Sequence, residues 1–336
     1  MARNVASNVG LDIGTSSVKT VELIRSGTSY KLRRASIQPL ADAAPETVAQ
    51  ALKSTAETVV GARHLRISVA GSSLLIRRIE MPQMNAAELR NAVKFEAENH
   101  IPFPVDECML DHHVVQAGAE GKNATLLLVA LKKEFIQERV KMLHDLGLKP
   151  ELVDVDAFAL VNAFERLGPE ARPKNYGLLN IGHGTSLFTI VQSGQPFFVR
   201  EINTGGLEVT RALAETLSLD EAAAEKVKLS ADPARAADLK AAALRALSPL
   251  VNELKSSVDY FENESGEELK QVWVCGGSAA GWAEEVLTQE VGRTFKVWDP
   301  LLHLEVLSEA SEAVEGRGPA FAVALGLAVR EMVAPQ

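Results

Sequence analysis

The chain has 336 residues, of which 46% are hydrophobic and 24% charged, and its net charge is −9. At roughly 100–200 residues per domain the length predicts about two globular domains, and the composition excludes fibrous and largely disordered chains. There is no cluster of Lys and Arg, no cysteine framework beyond Cys108 and Cys275, and no apolar run near the ~20 residues of a membrane helix, which excludes phosphate-neutralising nucleic-acid binding, a disulfide scaffold and a transmembrane chain.

In chain order, residues 1–8 are short and polar, unlike a secretory leader, so a cytoplasmic protein is expected. Strands are predicted near 9–14, 17–25 and 29–39. Lys19, Val21 and Leu23 alternate with Thr20, Glu22 and Ile24, as in a half-buried strand. Pro45 starts a helix to about residue 60. Strands follow at 65–70 and 74–79. Asn85 caps a helix to about residue 99, with Glu88 as its capping-box partner. Strands at 114–115 and 125–131 precede a helix over 132–146 that Gly147 ends. A second lobe begins near Asn175. Gly205-Gly206 opens a helix to about residue 217, Asp220 caps the next, and the Ala-rich stretch 234–264 is a long helix with a break at Pro249.

Two segments repeat. Val9-Gly10-Leu11-Asp12-Ile13-Gly14-Thr15-Ser16-Ser17 leads into a strand and the turn Ser26-Gly27. Gly177-Leu178-Leu179-Asn180-Ile181-Gly182-His183-Gly184-Thr185-Ser186 leads into a strand and the turn Ser193-Gly194. One copy opens each half, which predicts two related sheets facing each other with both turns in the space between. A single such turn is an ordinary hairpin; two matched copies favour an anion site. Gly14, Gly182 and Gly184 let backbone approach an anion, and successive N–H groups form a nest for phosphate. Thr15, Ser16, Ser17 and Thr185 add hydroxyls, Asp12 can hold a hydrated Mg²⁺, and Lys19 can return a positive charge to the phosphates. The apolar strand Val272-Trp273-Val274-Cys275 enters Gly276-Gly277-Ser278, a turn suited to a base or ribose passing over the backbone, although alone it would be a plain strand-to-helix turn.

These three motifs, in this order, resemble the phosphate-1, phosphate-2 and adenosine motifs of the actin/Hsp70/sugar-kinase ATPase superfamily. The chain is similar to its FtsA-like branch, and most similar to the PilM family of type IV pilus assembly proteins. Besides the opening Gly10 to Leu23, the match runs through Met81-Pro82, Glu88-Leu89-Arg90, Ile101-Pro102-Phe103, the segment Gly147 to Leu160, and the closing Ala320 to Arg330. The resemblance implies an α/β, actin-like (ribonuclease H-like), two-lobed fold. Residues 8–79 plus 151–174 would form the first core and 80–150 an FtsA-like insertion. The second core would take 175–204 plus 270–332, with 205–269 as its helical outer part. It implies ATP or ADP with Mg²⁺ in the cleft, and it assigns Glu225 and Lys228 to the ribose and base. Their spacing places both on one helical face, where a solvated ion pair is the equal alternative. Asp156 positions a water by the same carry-over.

Asn180 stands where the family's second phosphate motif has Asp. An amide brings no charge to a Mg²⁺ site and is a poor base, so the chain is expected to be at most a slow ATPase. His183 reads as a turn residue without a role, and His112-His113 point to opposite faces of a strand and make poor co-ligands. The implied partner is the N-terminal cytoplasmic tail of a PilN-like inner-membrane protein. It would lie in a groove between the first lobe and the insertion, walled by residues 74–82, and would hold the chain at the membrane. Other pilus components and self-association stay open as contacts. An FtsA-like division or filament protein and a type II secretion component remain alternatives. The former carries a basic amphipathic tail that is not found before Gln336. The apolar stretch 321–333 lacks the basic face of a membrane-surface helix and resembles the fold's buried last helix.

Overall fold

Two β-meanders of identical strand order form the skeleton. The computed structural model describes residues 7–26, 29–55, 64–71, 73–118, 123–230 and 233–330. In the first lobe β1 (Ser7–Ile13), β2 (Ser17–Ser26) and β3 (Ser29–Pro39) run antiparallel. The parallel strands β4 (Leu65–Val69) and β8 (Pro150–Val155) continue the sheet beyond β1, and the short β14 (Glu305–Val306) adds to its β3 edge. In the second lobe β9 (Asn175–Ile181), β10 (Ser186–Gln192) and β11 (Gln195–Ile202) make the meander, and β12 (Gln271–Cys275) and β13 (Thr294–Val297) continue it in parallel. The orders β3-β2-β1-β4-β8 and β11-β10-β9-β12-β13 correspond strand for strand. The expected duplicated, actin-like architecture is therefore borne out.

Helix α1 (Pro45–Ser54) begins where Pro45 predicts; the expected continuation over 56–60 lies outside the described residues. A third, antiparallel sheet, ordered β5 (Leu74–Pro82), β7 (Asn123–Lys132), β6 (Cys108–Gln116), carries helix α2 (Ala86–His100) on one face. Ile79, Met81, Leu89, Val93, Ala97 and Leu126 form its core. Asn85 Oδ1 accepts from the N–H groups of Ala87 and Glu88 at 3.0 Å, and Glu88 accepts from Asn85 N–H at 3.2 Å, closing the predicted capping box. Residues 74–79, expected in the first core, stand in this sheet. Helix α3 (Lys133–Asp145), expected in the insertion, instead buries Leu143 with Val9, Leu11 and Ile67 of the first core. Its end is marked by Gly147 at φ +75.

On the second lobe, α5 (Gly206–Leu217) and α6 (Glu221–Ser230) precede the Ala-rich region. That region is two helices, α7 (Ala236–Ala246) and α8 (Ser248–Ser265), with Pro249 in the first turn of the second, where no helical N–H is lost. Helix α9 (Gly281–Val291) covers β13, and α10 (Ser308–Val314) lies against β3.

The lobes share a core beneath the space between them. Helix α4 (Asp156–Leu167) and the last helix α11 (Ala322–Val329) contribute Leu160, Phe164 and Leu325 to a cluster that takes Leu23 from the first sheet and Tyr176 and Leu178 from the second. Few aromatic residues are present, and Phe164 gathers three of them, with ring centroids 4.8 Å from Tyr176, 4.9 Å from Trp298 and 5.6 Å from Trp273. All of α11 is buried, which explains its apolar sequence; among the described residues no helix is long and apolar enough to cross a membrane.

Two glycines permit this arrangement. A Cβ on Gly326 would stand 1.8 Å from the Ala159 carbonyl oxygen, and one on Gly10 would stand 2.0 Å from that of Ala324. Helix α11 is thus pressed backbone to backbone against both α4 and β1. Gly326→Ala is expected to lower folding stability by about 2–3 kcal/mol in urea titration, because rigid backbone has to move. An unchanged midpoint would contradict this packing.

Candidate functional site

A cleft of about 1720 Å³ opens between the two meanders, and both repeated turns face it. It is lined by Asp12, Gly14, Thr15, Ser16, Ser17 and Lys19 from the first turn and its strands. Asn180, Gly182 and Thr185 line it from the second turn, and Gly276, Gly277, Ser278, Glu225 and Asp156 complete the set of sequence-predicted residues present. Gly184 and Lys228 are the predicted residues that do not line it, and His183 does.

The two turns close in the same way. Gly14 N–H donates to Ser17 O at 3.1 Å, and Gly182 N–H donates to Thr185 O at 2.9 Å. These glycines spend their own N–H groups on the turn. A Cβ on Gly182 would meet the Thr185 oxygen at 2.7 Å, so glycine is required for the closure itself. The N–H groups of Thr15, Ser16 and His183, residues that line the cleft, find no protein acceptor among the described residues, so these residues between the closures hold the donors available to an anion.

The charges are not duplicated. Asp12 faces Lys19 across β1 and β2, and the two form a buried ion pair at 3.1 Å. At the matching register of the second copy, Asn180 faces Leu187. The Asn180 side-chain oxygen instead lies against Gly276, where a Cβ would come within 2.4 Å of it. Gly276 holds φ +103, and its N–H donates to Pro319 O at 2.8 Å. No side chain stands within 4 Å of a Cβ position on Gly277, which leaves that face of the turn open to the cleft.

Asp156, the first residue of α4, sits half-buried on the cleft wall. Burial and the neighbouring charge of Asp12 push its carboxyl up to about 7, while the Ser68 hydroxyl and Lys19 pull the other way. The lobes touch across the cleft where Gly71 N–H donates to Glu201 Oε2 at 2.8 Å.

A polyphosphate with a divalent cation fits these groups. The unpartnered N–H groups and Lys19 suit phosphate oxygens. Among the described residues there is no cluster of three His, Cys, Asp or Glu that could hold a metal. Mg²⁺ is ordinarily held by one or two carboxylates and waters together with phosphates; Asp12, the residue expected to hold it, could do so, and Asp156 is the second carboxylate within the cleft of the first lobe.

The family model for the type IV pilus assembly protein PilM matches residues 10–332. The chain belongs to the PilM family. A chain from the solved PilM–PilN type IV pilus biogenesis complex is similar to this PilM-family protein at 27% identity and TM-score 0.80, over 96% of this chain and 97% of that one. The ethanolamine utilization protein EutJ of Carboxydothermus hydrogenoformans shares the fold at 14% identity and TM-score 0.54, over 98% of this chain and 93% of that one. A nucleotide-free diol dehydratase-reactivating factor shares it at 10% identity and TM-score 0.52, over 96% and 98%. Family membership selects pilus assembly over the division and type II secretion alternatives.

In this PilM-family chain the Glu225–Lys228 pair is neither of the two arrangements expected. Lys228 is fully buried, so it is not a solvated ion pair, and it does not reach the cleft as a ribose ligand. Its Nζ pairs with Glu225 at 2.7 Å and donates to Gly206 O at 3.0 Å and Thr210 Oγ1 at 2.9 Å. Burial lowers its pKa and Glu225 opposes that. The ammonium ties α6 to the first turn of α5, and only Glu225 remains at the cleft. Ser278 is likewise nearly buried; its Oγ packs where a Cβ on Gly206 would come within 1.9 Å.

Sequence reasoning missed Ser68, Glu201 and Arg139, all of which line the cleft. None belongs to a repeated turn. For Glu201 a signal existed: it lies on the strand that ends the second meander, one residue from the register partner of Ser186.

Asp156 predicts a pH dependence. Its carboxyl titrates in the fold near 7 against an ordinary 3.8, so its contribution to stability is full below the ordinary value and lost as pH rises through about 7. Asp156→Asn removes that loss. Thermal or urea unfolding from about pH 4 to about pH 8 is expected to show the variant gaining on the unsubstituted chain, by at most about 1.4 kcal/mol per pH unit. Parallel profiles would refute the shifted carboxyl.

Proposed function

We propose that this chain is a nucleotide-binding scaffold of type IV pilus assembly that holds the N-terminal cytoplasmic tail of a PilN-like inner-membrane protein. The observation that carries the reading is the match over nearly the whole of both chains to a component of the PilM–PilN complex. The tail would anchor the chain at the membrane surface.

The nucleotide in this proposal is ATP or ADP with Mg²⁺. The free N–H groups of the two turns and Lys19 hold the phosphates, and Asp12 holds the cation through water. Gly277 and Glu225 border the space for the nucleoside. Bound Mg²⁺ supplies neutralisation of phosphate charge. Asn180 and Leu187, in place of a second charged pair, favour holding a nucleotide over rapid hydrolysis, since neither can take a proton from water. Asp156 is the residue positioned to orient one.

Nucleotide is then a conformational ligand. The third sheet contacts the second lobe as well as following the first. The Arg78 guanidinium on β5 stacks 4.1 Å from the Phe197 ring centroid on β11, and His113 on β6 bonds Gln195 at 3.0 Å. A change in lobe closure therefore reaches both edges of that sheet. Along β5 the alternation buries Ile79 and Met81 in the sheet's own core, with Leu75 packed against it, which leaves half-buried Leu74 and Ile76 as the apolar part of a groove wall.

Two outcomes are expected. Fluorescent ATP should bind saturably, more tightly with Mg²⁺ than without, and Lys19→Met should weaken it by about tenfold or more, the worth of one lost charge-assisted phosphate contact. Absence of saturation at millimolar ATP would remove the nucleotide from this proposal. A synthetic peptide of the PilN-like tail should bind the full chain in fluorescence anisotropy, with an affinity that differs between ATP and ADP. A peptide that does not bind in either state would remove the partner.

A further inference from the structure

Helix α3 leaves β7 without a loop: Lys132 ends the strand and Lys133 begins the helix. β7 is the central strand of the third sheet, so the helix is a direct extension of it. One face of the helix looks into the cleft. Phe135, Arg139 and Met142, at four- and three-residue spacing, all line it.

Arg139 is unlike the other cations there. Lys19 is engaged by Asp12 at 3.1 Å and Lys141 by Asp145 at 2.6 Å. Lys226 and Arg317 are exposed to solvent. Arg139 is half-buried, and among the described residues its guanidinium makes no hydrogen bond or ion pair; its one close partner is the Phe135 ring, 5.9 Å away. A guanidinium has five donors in a planar fork suited to phosphate oxygens, and taking it partly out of water without an anion is costly. Burial lowers its pKa, and Asp156 and Asp12 are the acids near enough to oppose this.

The acids nearest Arg139 point to the anion. They are Asp12 and Asp156 of the first lobe, beside the first phosphate turn. The open turn at Gly277 and Glu225, which border the nucleoside in the proposal above, belong to the second lobe. We propose that Arg139 contacts the terminal phosphate of a nucleoside triphosphate, makes the cleft prefer triphosphate to diphosphate, and carries that preference through α3 into β7. The inference rests on the nucleotide reading above.

The test is calorimetric titration of the full chain with MgATP and MgADP. The unsubstituted chain is expected to favour ATP. Arg139→Gln should weaken ATP by about tenfold or more and ADP by less than about threefold, and Arg139→Lys should restore part of the ATP affinity. Amide exchange over residues 123–132 should slow with ATP relative to ADP in the unsubstituted chain and not in Arg139→Gln. Circular dichroism of each variant confirms that it is folded. If the unsubstituted chain binds neither nucleotide, the nucleotide reading fails and this inference with it. If it binds both while Arg139→Gln keeps the ATP-to-ADP ratio, or loses both equally, only the assignment of Arg139 fails. Exchange in β7 that is blind to the nucleotide overturns the coupling.

Discussion

The contact on which the rest of this molecule depends is the one between backbones at Gly326 and Ala159. It sets the distance between α11 and α4, and those two helices are the material shared by the lobes. Gly10 repeats the device on the other side of α11, so one short helix is fixed against a helix and a sheet at once. Dispersion and burial then act at full density, because no side chain holds the backbones apart. Asp156 begins α4, the helix that bears Ala159. The close packing beneath the cleft therefore holds, within one turn of helix, the acid that stands on its wall.

On this frame the duplication is geometric and not chemical. Both meanders keep the same strand order, the same hairpin closure and the same free N–H groups. Only the first copy keeps a charged pair, Asp12 with Lys19, and the second has Asn180 with Leu187 at that register. A buried ion pair costs desolvation that its own attraction only partly returns. Keeping one pair and replacing the other with an amide and an apolar residue removes that cost from one side. It also places the titratable chemistry in the first lobe, near Asp156 and Arg139.

How far this was legible in the sequence follows from what each residue is tied to. The strands of the two meanders, the turns and their convergence were readable, because period-two alternation and paired glycines are local signals and their repetition supplied the long-range one; of β6 only 114–115 was read as strand, and β8, β13 and β14, which carry no repeated motif, were not read. The capping box at Asn85 and Glu88 was readable for the same reason. Lys228 was not. Its spacing from Glu225 states only that they share a helical face, while its fate is decided by Gly206 and Thr210 on another helix. Arg139 was not readable either, since nothing in a helix of mixed charge tells which face meets a cleft. The role of α3 was hidden by continuity: it follows the third sheet in the chain but packs its Leu143 into the first core.

The electrostatics of the cleft explain how an acidic chain can accept a polyanion. Around the first turn Asp12, Asp156 and Glu201 stand against Lys19 and Arg139, so carboxylates outnumber cations before any ligand arrives. Phosphates entering alone would meet that excess in a partly dry site, where charges are weakly screened. A divalent cation entering with them reverses the balance. A carboxyl titrating near 7 offers a second remedy, since Asp156 can take up a proton where Asp12 crowds it. Proton and cation compete for one role, and they act on Asp156 in opposite directions. Bound Mg²⁺ would draw its pKa down and bare phosphate would raise it. In the proposed reading the attraction of this cleft for a nucleotide would come from its amides, Lys19, Arg139 and an imported cation, and net charge of the chain would have little part in it.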